Sequence, residues 1–227
     1  MDKILQLISG IPLFEGLLPK ELEKIRRIAV NKFYAKGKTV FLEGDQGNGF
    51  YVVAEGRVKI FKVSLDGKEQ ILHIYGPGQP FGEVPVFSGK KFPASAQALL
   101  KSHLLFFPRD AFVNLISNNP SLSLNMLAMM SMRLRQFTVQ VENLSLKEVP
   151  GRLASYLMVL AEEQNAESRV SLPVSKSQLA SLLGTIPETL SRILSRMNGQ
   201  GLIRVDGGTI ELLDTAGLHA LAESGKL

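Results

Sequence analysis

Glu188, Thr189, Ser191, Arg192 and Arg196 fall close together and, at helical spacing, off the apolar face made by Leu190, Ile193, Leu194 and Met197. A glutamate there can accept from cytosine N4, and an arginine can clamp guanine O6 and N7 in bidentate fashion. Lys176, Ser177 and Thr185 suit phosphate contacts, which position a reader without specifying a sequence. Ser175 and Pro187 open the two helices that carry these groups and belong to the same surface. A plainer reading of Glu188 stays open: it can cap its own helix and pair with Arg192 at i+4. For the whole face, the chemistry is recognition of double-stranded DNA in its major groove.

Other chemistries are poorly provided for. The 227 residues contain no cysteine, which removes disulfides, iron–sulfur clusters, zinc–thiolate sites and thiol nucleophiles together. The three histidines, His73, His103 and His219, are scattered. No nucleophile–base pair or metal cluster is visible, so no enzyme is expected. Glycine-rich turns such as Gly44-Asp45-Gln46-Gly47-Asn48-Gly49 do not lie between a strand and a helix. Rossmann and Walker readings are therefore rejected. The start, Met1-Asp2-Lys3-Ile4-Leu5, lacks the basic residues and apolar stretch of a signal peptide. No apolar run reaches the length of a membrane span. A cytoplasmic protein with no membrane partner is the expectation.

The formal charge is +5. The excess does not sit beside the base-reading face. Residues 145–227 hold 8 Lys/Arg against 9 Asp/Glu, whereas residues 1–144 hold 18 against 12. The residue types on the face, not net charge, carry the argument.

Three blocks must position these residues. Residues 1 to about 30 read as helical, with Leu22, Ile25, Ile28 and Ala29 at helical spacing. Residues 33 to about 108 read as short strands separated by turns, as in Phe50-Tyr51-Val52-Val53, Ala54-Glu55-Gly56 and Arg57 to Val63. That punctuation predicts a small barrel or sandwich. From Pro108 to about Leu146 the chain reads as one long helix. Leu127, Met130, Leu134, Phe137, Val141 and Leu144 repeat at 3-4-3-4-3, a heptad seam that predicts a homodimer. Leu122, Met126 and Met129 form a second stripe that can face the β block. The boundaries are then 1–108, 109–146 and 147–227.

The last block opens with a helix from Val149 to about Glu163. Ser175 and Gln178 form a capping-box pattern. Gly184 suits a left-handed helix stop, and Pro187 is tolerated in the first turn of the next helix. Leu202 to Val205, Asp206-Gly207-Gly208 and Thr209 to Leu213 read as a β-hairpin. Two helices, a tight turn and a hairpin make a winged helix-turn-helix.

Over its full length the chain resembles the CRP/FNR-family transcription regulators. The β-block turns, Phe81-Gly82-Glu83, the long helix, Gly151-Arg152 and Glu188-Thr189-Leu190-Ser191-Arg192 occur in family order. The resemblance implies an α+β fold: a cyclic-nucleotide-binding-type β-roll (a jelly roll), a dimerising helix and a winged helix-turn-helix. It implies homodimers on inverted-repeat operators, an effector that re-aims the DNA-binding domains, and RNA polymerase as a further partner. The Glu–Ser–Arg head is similar to the FNR branch, whose half-sites contain a TTGA-like element.

Two departures narrow the branch. Cyclic-AMP-binding members carry an Arg-Ser pair where this chain has Pro93 and Ala94. A cyclic phosphate then lacks its charge-assisted partner, and cyclic AMP is not expected. Redox-sensing FNR members use cysteines, absent here. Pro93-Ala94-Ser95-Ala96-Gln97-Ala98 and Ile186 to Leu194 resemble the nitric-oxide-responsive DNR and HcpR regulators. That resemblance implies haem, whose axial ligand here would be a His, Met or Tyr; His219 lies in the C-terminal tail away from any sensor pocket, and among His73, His103, Met126, Met129, Met130 and Met132 none is singled out. Each of these residues also has an ordinary role as a surface, hydrogen-bonded or core-filling side chain. The expected effector pocket lies between roll and helix, lined by Phe81, Gly82, Glu83, Pro93, Ala94, Ser95, Leu122, Met126, Met129 and Met130. A small organic effector, as in the related halorespiration regulators, fits the same pocket. A ligand-independent regulator and a dimer whose winged helix binds protein are further alternatives.

Overall fold

The computed structural model describes residues 3–225; Met1 and Asp2, read above for a targeting signal, lie outside them. The chain divides into two compact units, Met1–Leu134 and Arg135–Leu227.

The first unit begins with α1 (Lys3–Ser9), a 3-10 turn at Pro12–Phe14 and α2 (Pro19–Ile28). Pro19 occupies the first turn of α2, where its missing N–H costs nothing. The Glu21 carboxylate reaches back to accept the Leu18 N–H at 2.8 Å. The roll follows: β1 (Val30–Tyr34), β2 (Thr39–Phe41), β3 (Gly49–Glu55), β4 (Val58–Val63), β5 (Glu69–Tyr75), β6 (Pro80–Phe81), α3 (Val84–Ser88), β7 (Ser95–Ala98) and β8 (Ser102–Pro108). Two antiparallel sheets form, ordered β1-β8-β3-β6 and β2-β7-β4-β5.

Alternation along β3 and β8 sends their side chains into two separate cores. Val53 and Leu104 face the roll interior with Phe41, Val58, Tyr75, Phe81, Phe92 and Ala96. Phe50, Val52, Leu105 and Phe107 face the helices on the other side. There the Phe107 ring lies 5.0 Å from Phe50 and 5.7 Å from Phe14. Phe107 is fully buried. Phe107→Ala is expected to lower the unfolding free energy by about 3–5 kcal/mol; urea unfolding of the variant checks this.

The single helix expected over 109–146 is two. α4 (Arg109–Ser117) ends at Asn118, and α5 (Pro120–Leu146) starts afresh. Pro120 cannot continue a helix from behind because its ring excludes the preceding carbonyl and it has no N–H to donate. The Asn119 side-chain oxygen accepts the Leu122 N–H at 3.2 Å and caps the new helix. α4 packs on the first sheet and α2, so it belongs with the sensor block.

The second unit contains the end of α5, then α6 (Val149–Glu163), β9 (Arg169–Ser171), α7 (Lys176–Leu182), α8 (Pro187–Gly199), β10 (Ile203–Asp206), β11 (Thr209–Leu212) and α9 (Thr215–Ser224). α6 runs over the expected residues. The hairpin forms with Asp206 opposite Thr209 across Gly207-Gly208. It gains a third strand, since β9 pairs with β11 through Val170 and Ile210. The sequence reading places no strand at β9, whose one apolar residue is buried Val170.

Candidate functional site

α7 and α8 present the base-reading surface. The Ser175 hydroxyl accepts the Gln178 N–H at 3.3 Å, and the Gln178 side chain accepts the Ser175 N–H at 3.0 Å. Gly184 closes the turn at φ 68°, a left-handed conformation that glycine adopts without a Cβ penalty. Leu179, Ala180, Leu190, Leu194 and Met197 are buried, and Ile193 is half-buried. Ser175, Lys176, Ser177, Pro187, Glu188, Ser191, Arg192 and Arg196 are exposed, with Thr185 and Thr189 half-buried beside them. The Arg192 guanidinium donates to the Thr189 hydroxyl at 3.2 Å. Glu188 neither caps α8 nor pairs with Arg192 among the described residues. Glu188 sits in the first turn of α8, where a negative charge is favoured by the helix dipole, and its carboxylate and the Arg192 guanidinium are both exposed.

All six seam residues of α5 are exposed in the single chain; Leu134 is 70% and Phe137 47% accessible. They lie along a 27-residue helix, and exposed apolar stripes of this length are in general features of interaction surfaces.

Inside the roll, α5 supplies a cation. Arg133 Nη1 lies 2.5 Å from Glu83 Oε1, and Nη2 donates to the Pro80 carbonyl. The guanidinium carbon sits 5.1 Å from the Tyr75 ring centroid. The His73 ring lies 4.5 Å from Tyr75. Burial raises the Glu83 carboxyl above the usual carboxylate range, and Arg133 opposes that rise. Burial, and then the Arg133 charge, lower His73 from 6.5 to about 4, so its imidazole is neutral near pH 7. Aromatic rings line the same interior: Phe41 and Phe92 stack at 3.7 Å, Tyr51 and Phe81 at 5.4 Å.

Family models match both halves of this arrangement. A cyclic nucleotide-binding domain covers residues 31–119, and a Crp-like helix-turn-helix domain covers residues 151–221. The cyclic AMP receptor protein of Thermus thermophilus is 33% identical over 215 residues, 95% of this chain and 98% of the relative. The chain belongs to the CRP/FNR family. It is a DNA-binding transcription regulator. The transcriptional activator FnrA of Stutzerimonas stutzeri is 29% identical, across 82% of this chain and 78% of that one. The structure of FixK2 from Bradyrhizobium japonicum superposes with a TM-score of 0.76 at 26% identity, covering 86% of this chain and 97% of that one.

Against this CRP/FNR frame, the expected effector pocket needs correction. Phe81 and Glu83 are buried at the roll interior, with Gly82 half-buried between them. Ala94 and Ser95 are buried at the start of β7, while Pro93, just before them, is exposed. The Ser95 hydroxyl already accepts the Glu43 N–H at 3.0 Å. Leu122 and Met126 do not join them. Both are buried in the helix-facing core, with Met129 packed against it, so the β3–β8 sheet stands between these residues and the roll interior. Met130 is exposed on the seam. The helix reaches the roll through Arg133, which is not among the expected pocket residues. A buried Glu83 needing a cation was the available signal.

The proposed haem ligands also separate. The Nε2 of His103 lies 2.7 Å from the Asn31 side-chain oxygen, and its ring stacks on exposed Phe33. Met132 is exposed. His73 alone faces the roll interior.

Because the folded chain holds His73 near 4 and the unfolded chain near 6.5, the unfolded state takes up the proton first on acidification. Stability is then lost as pH falls from 6.5 toward 4. His73→Gln is expected to remove this part of the acid lability, at most about 3 kcal/mol at the low end. Urea unfolding of both proteins at neutral and acid pH checks it; parallel pH dependence would contradict it.

Proposed function

We propose that this regulator acts as a homodimer on an inverted repeat with TTGA-type half-sites and responds to nitric oxide or a related signal. The N-terminal block senses, α5 dimerises and the C-terminal block reads DNA. The observation that carries the DNA-reading part is the outward Glu188–Ser191–Arg192 face on a capped, glycine-turned helix pair. The exposed heptad seam supports the dimer. A contact of RNA polymerase with the bound dimer follows the family pattern.

The Arg133–Glu83 pair supports an effector-driven switch, because it ties α5 directly to the roll floor. A ligand entering the interior competes for Glu83 or Arg133 and changes how α5 is held. Movement along α5 then brings the two heads to a spacing of about one DNA turn, roughly 34 Å. The ligand's differential affinity for the two arrangements drives the switch. Cyclic AMP is a poor match, since Pro93 and Ala94 offer its phosphate no cation.

For haem, the donor set offers one neutral imidazole in the roll, His73, as an axial ligand. Bound there, haem would supply the iron that takes up the gas. The second reading, a small organic effector, is favoured by the stacked rings of the interior and the Arg133–Glu83 pair. A visible absorption titration with haem, followed by nitric oxide, separates them. A saturable Soret band at one haem per chain, shifting with the gas and lost in His73→Gln, supports the haem reading. Loose, unsaturable haem overturns it and leaves the organic effector.

A further inference from the structure

The connection between α5 and α6 is held from three sides within the second unit. Lys147 and Glu148 link the helices. Arg152, on the first turn of α6, folds back: its Nη1 donates to the Lys147 carbonyl at 2.9 Å and lies 3.4 Å from the Leu144 carbonyl. A helix's last carbonyls have no intrahelical partners, and a cation there is electrostatically favoured. The Lys147 ammonium donates to the Ser155 hydroxyl at 3.1 Å, bridging connector and α6.

The third side comes from the far end of α9. The Glu148 N–H donates to the Gly225 carbonyl at 3.1 Å. Gly225 is buried and stands at φ 73°, a left-handed cap. It lies so near Gly151 that a Cβ on Gly151 would fall 2.5 Å from the Gly225 Cα. A Cβ on Gly225 would fall 3.2 Å from the Lys147 Cα. Two glycines in backbone contact therefore pin the end of α9 onto the connector, and any side chain at either position must push it aside.

Arg152 accepts a cost in this arrangement. Its Nε is buried with no hydrogen-bond partner among the described residues, and a buried unsatisfied donor is destabilising. A group that only strengthened packing would be better replaced by an apolar one. Retaining the guanidinium makes sense if what matters is the angle at which α6 leaves α5. That angle has a consequence, because the seam runs to Leu144, just before the connector, and α8 packs onto α6 just after it.

We propose that Arg152 and the Gly151–Gly225 contact are positioning residues for operator binding: they fix the turn from α5 into α6 and so set the half-site spacing that a dimer accepts. This rests on the dimeric, inverted-repeat reading above. The inference concerns discrimination between spacings, which a merely structural role would not move selectively.

The experiment uses the full chain and an inverted repeat that the wild-type protein selects from random-sequence DNA. That repeat is resynthesised with its central spacer one base pair shorter or longer, which rotates one half-site by about 35°. The wild-type protein is expected to bind the altered spacers about tenfold more weakly or worse. Arg152→Met and Gly225→Val are expected to bring all three spacers within about threefold of one another while keeping the preference for selected over scrambled half-sites. Arg152→Lys, which can still reach the Lys147 carbonyl, is expected to restore part of the discrimination. Thermal unfolding by circular dichroism establishes that each variant is folded; if Gly225→Val is not, the two Arg152 variants decide. Wild-type spacing discrimination in folded variants overturns the inference. So does equal loss of half-site preference and spacing preference. A wild-type protein indifferent to spacing overturns the dimeric reading and the inference with it.

Discussion

Arg192→Ala is expected to abolish sequence-specific DNA binding while sparing non-specific binding. The guanidinium is exposed on α8 and donates to the neighbouring Thr189 hydroxyl. It is therefore free to clamp a guanine. One bidentate contact is worth about 1–3 kcal/mol of base discrimination. A dimer carries two copies, so affinity for the selected operator falls by roughly 30-fold to 10⁴-fold. Lys176→Ala is the contrast: a phosphate contact carries no sequence information, so binding weakens similarly on operator and scrambled DNA. Fluorescence anisotropy on both DNAs at fixed salt measures the two ratios. An operator-to-scrambled ratio unchanged in Arg192→Ala would remove the reading head from α8.

Leu134→Asp with Phe137→Asp is expected to convert the dimer to a monomer. Both side chains are exposed in the single chain, so the fold of the chain tolerates the change. At a two-stranded seam each aspartate would be buried opposite its own copy. Desolvating an unpaired carboxylate costs several kcal/mol. Two aspartates per chain make dissociation complete at micromolar concentration. Sedimentation equilibrium decides: a variant that sediments as the wild-type dimer would show that this seam is not the interface. Operator affinity should fall with the dimer, because a monomer contacts one half-site.

The parts of the molecule that were legible in the sequence are those fixed by local rules. The Ser175–Gln178 box, the Gly184 turn and the apolar face of α8 need only neighbours within a few residues, and each forms as expected. The heptad seam is likewise a local periodicity, and its six residues share an exposed stripe of α5. The break at Asn118-Asn119-Pro120 was written in the chain, but the apolar periodicity on both sides runs across it. Periodicity also shows that Leu122 and Met126 are buried, not against which face. That is decided by β3 pairing with β8, a contact between distant strands. Arg133 and Glu83 are separated by 50 positions, and no spacing rule links them. The cap that Gly225 places on Glu148 joins residues further apart still.

DNA recognition by the 227-residue chain is tested by selection from a random-sequence pool, with the enriched sites read out. The expected product is an inverted repeat of TTGA-type half-sites, centres about 10 base pairs apart, bound by two chains per duplex. Enrichment of a single unrepeated element, or of no sequence at all, would contradict it.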